Sequence, residues 1–156
     1  MIESQEEIEE PKLSLKILEF LREDLGSGDI TTNSIIDAEI DVKAKIICNE
    51  KAVISGVDEA ILTFNLLKCS VQSLIRDGDS VKADTTVIKV SGKARSILKA
   101  ERTALNILGR MSGVATETNK MVKEARKANQ KIRVAATRKT QPGFRIFDKK
   151  AVKSGG

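Results

Sequence analysis

A change of hydrophobic period at Ala94 divides the chain and limits what it can fold into. Upstream, apolar residues come in short runs broken by turn residues. In 41–49, Val42, Ala44 and Ile46 share one face, and 52–56 is a short buried run closed by Gly56. Residues 71–75 and the β-branched run 85–90, ended by Ser91-Gly92, are further strand candidates, with a turn at Asp77-Gly78-Asp79. Two segments keep helical spacing. One carries Leu15, Leu18, Leu21 and Leu25, with Ser14 as N-cap and Gly26 as stop; the other carries Ala60, Ile61, Phe64 and Leu67. This mixture predicts a small α+β sandwich, a mostly antiparallel sheet with helices on one side.

Downstream of Ala94 a broad apolar stripe of Ile97, Leu98, Leu105, Ile107, Leu108, Met111 and Val114 predicts a long helix. Gly109 and Gly113 weaken it, and Ser112 is placed to cap a second helix over 114–128. After Asn129-Gln130, the run 132–137 has Ile, Val and Ala on both faces, the pattern of a buried parallel strand. Arg138 and Lys139 follow it, and the C-terminal ends of parallel strands are where α/β folds carry their binding groups. Pro142-Gly143 then turns the chain. The expected layout is a disordered tail at 1–13, an N-terminal α/β sandwich domain at 14–108, and at 109–156 the start of an α/β barrel, cut off after its first helix–strand unit.

The chain has no histidine, which excludes a His-based triad or His-ligated zinc within it. Cys48 and Cys69 form no CxxC pair and predict free thiols in a reducing, cytoplasmic setting. No apolar run is long enough to span a bilayer, so no membrane is expected. Charge is polarised: residues 1–92 hold 10 Lys/Arg against 18 Asp/Glu, and residues 93–156 hold 17 against 4. A basic half implies an anionic partner, unless it only pairs with the chain's own acids. Nucleic acid is disfavoured, because only Phe144 and Phe147 are available there to stack bases.

Arg138 and Lys139 together offer a planar fork and a point charge, suited to carboxylate or phosphate. Arg102, in the helical stretch Ala100-Glu-Arg-Thr-Ala-Leu-Asn106, is the other candidate, although its pattern alone fits an ordinary exposed helix face. The carboxylate pairs Glu23-Asp24 and Asp77/Asp79 read as structural, closing a helix and forming a turn. Gly26-Ser-Gly-Asp29 reads as a tight connection rather than a phosphate loop. No catalytic group and no metal ligand is assigned within the chain.

Three segments, in order, resemble the quinolinate phosphoribosyltransferase family. They are Glu23-Asp-Leu-Gly-Ser-Gly-Asp-Ile-Thr-Thr32; Ala100–Asn106 running into Arg110-Met-Ser-Gly-Val-Ala-Thr116; and Ala136-Thr-Arg-Lys-Thr-Gln-Pro-Gly143 running into Lys150-Ala-Val-Lys-Ser-Gly-Gly156. The resemblance implies transfer of phosphoribosyl from phosphoribosyl pyrophosphate to quinolinate with Mg²⁺, releasing CO₂ and pyrophosphate and giving nicotinate mononucleotide for NAD biosynthesis. It also implies a homodimer or higher homo-oligomer whose site is shared between subunits. In it, Arg102 reaches the neighbour's site, and Arg138 and Lys139 bind substrate carboxylate and phosphate. Family members continue past the position of Gly156 with a His-Arg pair and further site residues, so this chain alone is expected to be an inactive fragment. Two other readings stay open. The molybdenum-transport-associated ModD-like phosphoribosyltransferase relatives share similar motifs. The stretch 76–90 resembles biotinyl/lipoyl-type carrier modules, which would make the chain a non-catalytic binding module.

Overall fold

The computed structural model describes residues 9–26 and 28–156. The elements are α1 (Glu9–Leu25), α2 (Ile30–Ile35), β1 (Asp41–Cys48), β2 (Ala52–Val53), α3 (Val57–Leu66), β3 (Ser70–Ser73), β4 (Ser80–Val81), β5 (Thr85–Lys93), α4 (Ala94–Ala128) and α5 (Arg145–Gly155). The first eight residues of the expected tail lie outside the described residues. Residues 9–13 are helical instead. Pro11 falls in the first turn of α1, where a missing N–H removes no intrahelical bond, and Ser14 sits inside the helix rather than at its cap. Gly26 ends α1, its N–H donating to Arg22 O at 3.0 Å.

The sheet is antiparallel in the order β1-β5-β3, with β2 and β4 forming a separate pair. Strand β1 alternates as expected: Val42, Ala44, Ile46 and Cys48 face inward. Strand β5 runs past Ser91-Gly92 to Lys93, which pairs with Asp41, and α4 starts at the next residue without a loop. Helices α3 and α4 cover the inner face with Val57, Ala60, Phe64, Ile97, Ala100, Ala104 and Leu108 against Val87, Ile88 and Val90. A fully buried Val, Leu, Ile or Phe side chain contributes about 1.5–3 kcal/mol. A second apolar cluster joins Ile17 and Leu21 of α1, Ile107 and Met111 of α4, and Phe147 and Ala151 of α5.

Two expectations need correction. Helix α4 is a single helix of 35 residues that passes through Gly109 and Gly113, with no second helix beginning at 114. Ser112 does not cap anything. Its hydroxyl accepts from Ser55 N and donates to Ser55 O, both at 3.1 Å, while Thr116 Oγ1 accepts from Val53 N at 2.9 Å. The helix side chains thus satisfy backbone groups of 53–55 that the two-residue strand β2 leaves unpaired.

The run 132–137 is not a buried strand. It is irregular, its residues alternate between half-buried and exposed, and among the described residues no strand pairs with it. Without a neighbouring backbone to complete a ladder, only one side of the segment packs, and its outward-facing groups are left to solvent. Arg138 and Lys139 therefore follow an unpaired segment.

Candidate functional site

Residues 125–147 carry seven Lys/Arg and no Asp or Glu. Arg138 and Lys139 lie at the centre of this stretch, both exposed, and neither side chain has an ion-pair partner among the described residues. The backbone around them is locally tied. Lys139 N donates to Thr137 Oγ1 at 3.1 Å, and Arg145 Nε donates to Thr140 Oγ1 at 3.4 Å. Pro142 and Gly143 (φ +77°) occupy the central positions of a type II turn closed by Phe144 N donating to Gln141 O at 3.0 Å. Phe144 packs with its ring centroid 4.6 Å from Phe147 and 5.8 Å from Phe20, so α1 and α5 grip the end of the loop.

Arg102 stands elsewhere, on the wall of a groove of about 710 Å³ between α4 and the α1–α2 connection. Its Nη1 donates to Asp24 Oδ1 at 3.1 Å; the guanidinium is mostly exposed, whereas Asp24 is largely covered. Thr31, Thr32, Lys99 and Asn106 line the same groove. Asp29 caps α2 through Oδ1, which accepts from Thr32 N at 2.9 Å. Hydrogen bonds from Thr32 hold its carboxyl below the usual carboxylate range, with smaller help from the charges of Lys99 and Arg102. Two of the three motif segments therefore meet here. Ser27, in the middle of the first, lies outside the described residues. No hydrogen bond or ion pair joins Arg102 to Arg138 or Lys139 among the described residues.

The third motif segment holds a group that its pattern did not reveal. Lys150 Nζ lies 2.9 Å from Asp58 Oδ2, 2.9 and 3.0 Å from the two Glu59 oxygens, and 3.2 Å from Asp77 Oδ2. Glu59 is buried. Asp77 also accepts from Val57 N at 2.9 Å, capping α3 from across the turn. Burial draws the Lys150 ammonium down, but the Glu59 charge, its hydrogen bonds to Asp58 and Glu59, and the Asp77 charge more than reverse this and hold it above its ordinary value. Burial pushes Glu59 up, and Lys150 opposes that only in part, because one ammonium is shared among three carboxylates. Asp58, Glu59 and Asp77 are close enough together to chelate a cation. The Lys150 ammonium already fills the space between them, so they do not fit a resident Mg²⁺.

Sequence pattern gives Asp24 only the closing of α1; the structure adds its pairing with Arg102. A lysine one turn ahead of Ser154 in a helix gave no signal of a partner 91 residues away.

The match to known proteins covers most of the chain. The family model described as quinolinate phosphoribosyl transferase, N-terminal domain, matches residues 29–112, and that of the C-terminal domain matches 114–156. A probable nicotinate-nucleotide pyrophosphorylase (carboxylating) of Archaeoglobus fulgidus is 49% identical over 116 residues, covering 74% of this chain and 45% of the relative. Its counterpart in Methanothermobacter thermautotrophicus is 42% identical over 140 residues, covering 90% of this chain and 50% of the relative. Among solved structures, the nicotinate-nucleotide pyrophosphorylase from Francisella tularensis superposes with a TM-score of 0.83 at 38% identity, over 92% of this chain and 51% of that one. NadC from Streptococcus pyogenes gives 0.86 at 33% identity, over 93% and 52%. The chain spans about half the length of the curated relatives it matches.

Proposed function

The chain belongs to the quinolinate phosphoribosyltransferase family, and from that premise we propose that it supplies part of the substrate-binding surface for phosphoribosyl transfer to quinolinate. The observation that carries this reading is the exposed Arg138–Lys139 pair, without an ion-pair partner among the described residues, in a stretch without a single acidic residue. Several cations elsewhere are already committed to one or more carboxylates, among them Lys93, Arg102, Arg110, Lys127 and Lys150. A pair without ion-pair partners among the described residues is available to an external polyanion.

In this reading Arg138 meets a quinolinate carboxylate through its planar fork, and Lys139 sets a point charge on a substrate phosphate. The reaction replaces the C1–pyrophosphate bond of phosphoribosyl pyrophosphate with a bond from C1 to the quinolinate ring nitrogen. Pyrophosphate leaves with its electron pair, and the carboxylate next to the nitrogen leaves as CO₂ while a proton takes its place. Fixed positive charge helps both departures by stabilising charge as it develops. Mg²⁺ enters with phosphoribosyl pyrophosphate, as the metal complex of its diphosphate. In the same reading Arg102, whose guanidinium is exposed beyond Asp24, reaches the site of a neighbouring subunit in a homodimer or higher homo-oligomer. Among the described residues no helix is long and apolar enough to cross a membrane. We place the protein in the cytoplasm, where Cys48 and Cys69 stay reduced.

In a protein that completes the site, the test is release of CO₂ from carboxyl-labelled quinolinate in the presence of phosphoribosyl pyrophosphate and Mg²⁺. Arg138→Ala is expected to lower kcat/KM for quinolinate by about 1–3 kcal/mol, roughly 5- to 150-fold. An unchanged kcat/KM removes Arg138 from the site.

A further inference from the structure

We propose that Arg110 is a positioning residue for the loop that presents Arg138 and Lys139, a role that rests on the reading of that pair as anion-binding. Arg110 projects from the middle of α4 and is engaged on two sides. Its Nε and Nη2 donate to the two carboxylate oxygens of Asp148 at 3.2 and 3.1 Å, forming a fork on a carboxylate that is largely buried in α5. The guanidinium also lies 5.0 Å from the centroid of the Phe144 ring.

Phe144 is where the loop re-enters regular structure. It closes the Gln141–Phe144 turn and immediately precedes α5. At its other end the loop is tied to α4, where Asn129 N donates to Ala125 O and Ile132 N donates to Asn129 O. Between these ends, among the described residues, no strand partner holds 132–140. The position of Arg138 and Lys139 therefore depends on the Phe144 anchor, and Arg110 fixes that anchor to the same helix that holds the start of the loop. A lysine at 110 would keep the charge but lose both the fork and the flat face against Phe144.

The test, in a protein that completes the site, is amide hydrogen exchange on Arg110→Lys, run beside calorimetric titration with quinolinate. The amides of Lys139 and Phe144, each hydrogen-bonded within the loop, are expected to exchange about tenfold faster, while Ile46 and Ile88 in the sheet keep their wild-type rates. Phe144→Leu, which leaves the fork to Asp148 in place, should reproduce the loop effect. Faster loop exchange together with weaker quinolinate binding supports both the positioning role and the anion site. Faster loop exchange with quinolinate affinity unchanged keeps the positioning role and overturns the anion-site reading. Unchanged loop exchange overturns the role of Arg110, as does equal acceleration in loop and sheet, which would make Arg110 a general stabiliser.

Discussion

Lys150→Met is expected to cost about 3 kcal/mol of folding stability at neutral pH, measured by denaturant unfolding. The substitution keeps most of the side chain's length and apolar stem while removing the charge. It strips the counter-ion from Glu59, which is buried, and leaves Asp58 and Asp77 repelling it. Breaking a buried pair by deleting one partner typically costs about 3–5 kcal/mol. The lower end applies because the Lys150 side chain is still 34% exposed, so water screens part of the loss.

The pH dependence of that loss has a definite sign. Glu59 is held above the usual carboxylate range by burial, so the folded state binds its proton more tightly than the unfolded state does. A carboxyl raised on folding favours the folded state as pH falls into the window between its unfolded and folded values. Without Lys150 to oppose it, Glu59 rises further and the window widens upward. The variant's deficit is therefore largest near neutrality and shrinks toward roughly pH 5. The wild-type latch behaves differently at the alkaline end. Lys150 lies above its ordinary value, so its contribution persists through neutrality and is lost only as pH climbs past that of a free lysine. A deficit that stays constant from pH 8 to 5 would contradict the account of the cluster.

Gly155→Ala is the second large effect. A Cβ at this position would lie 2.5 Å from the Ala115 carbonyl oxygen and 2.7 Å from Thr118 Cβ. The nearest atom belongs to the backbone of α4, so no rotamer change relieves the contact and α5 must move away from α4. Overpacking of this kind costs about 1–3 kcal/mol, and the upper end is expected here. Asn119 Nδ2 donates to Gly155 O at 3.0 Å, and that bond would stretch with the shift. Truncating Thr118 to Ala should recover only part of the loss, since the Ala115 oxygen remains. Full recovery in the Thr118→Ala background would place the conflict in the side chain and contradict the geometry.

Much of the fold was legible because it follows from local pattern. Alternation fixes the inward face of β1, the Asp77-Gly78-Asp79 turn forms, and the period change at Ala94 is the junction of β5 and α4. The family itself was legible from three short motifs and is borne out by the matching family models. What local pattern missed depends on partners distant in sequence. Gly109 and Gly113 looked like a break, yet α4 continues because the sheet, α3 and α5 pack along it. The run 132–137 has a strand's composition, but composition supplies no neighbour to pair with. Of the site residues, Arg138 and Lys139 stood out as a basic pair after an expected strand and within the third motif, although that strand does not form. Arg102 needed Asp24 beside it before its orientation made sense. Lys150 and Arg110 acquire their roles only when α5 folds back on α3 and α4.

The central claim is that the Arg138–Lys139 loop recognises a dianionic pyridine. In a protein that completes the site, calorimetric titration with quinolinate and, separately, with nicotinate, which has one carboxylate fewer, tests it most directly. The account predicts that quinolinate binds about tenfold or more tightly than nicotinate and that Arg138→Ala removes the difference. Equal affinity for the two acids, or a quinolinate preference that survives Arg138→Ala, would contradict it.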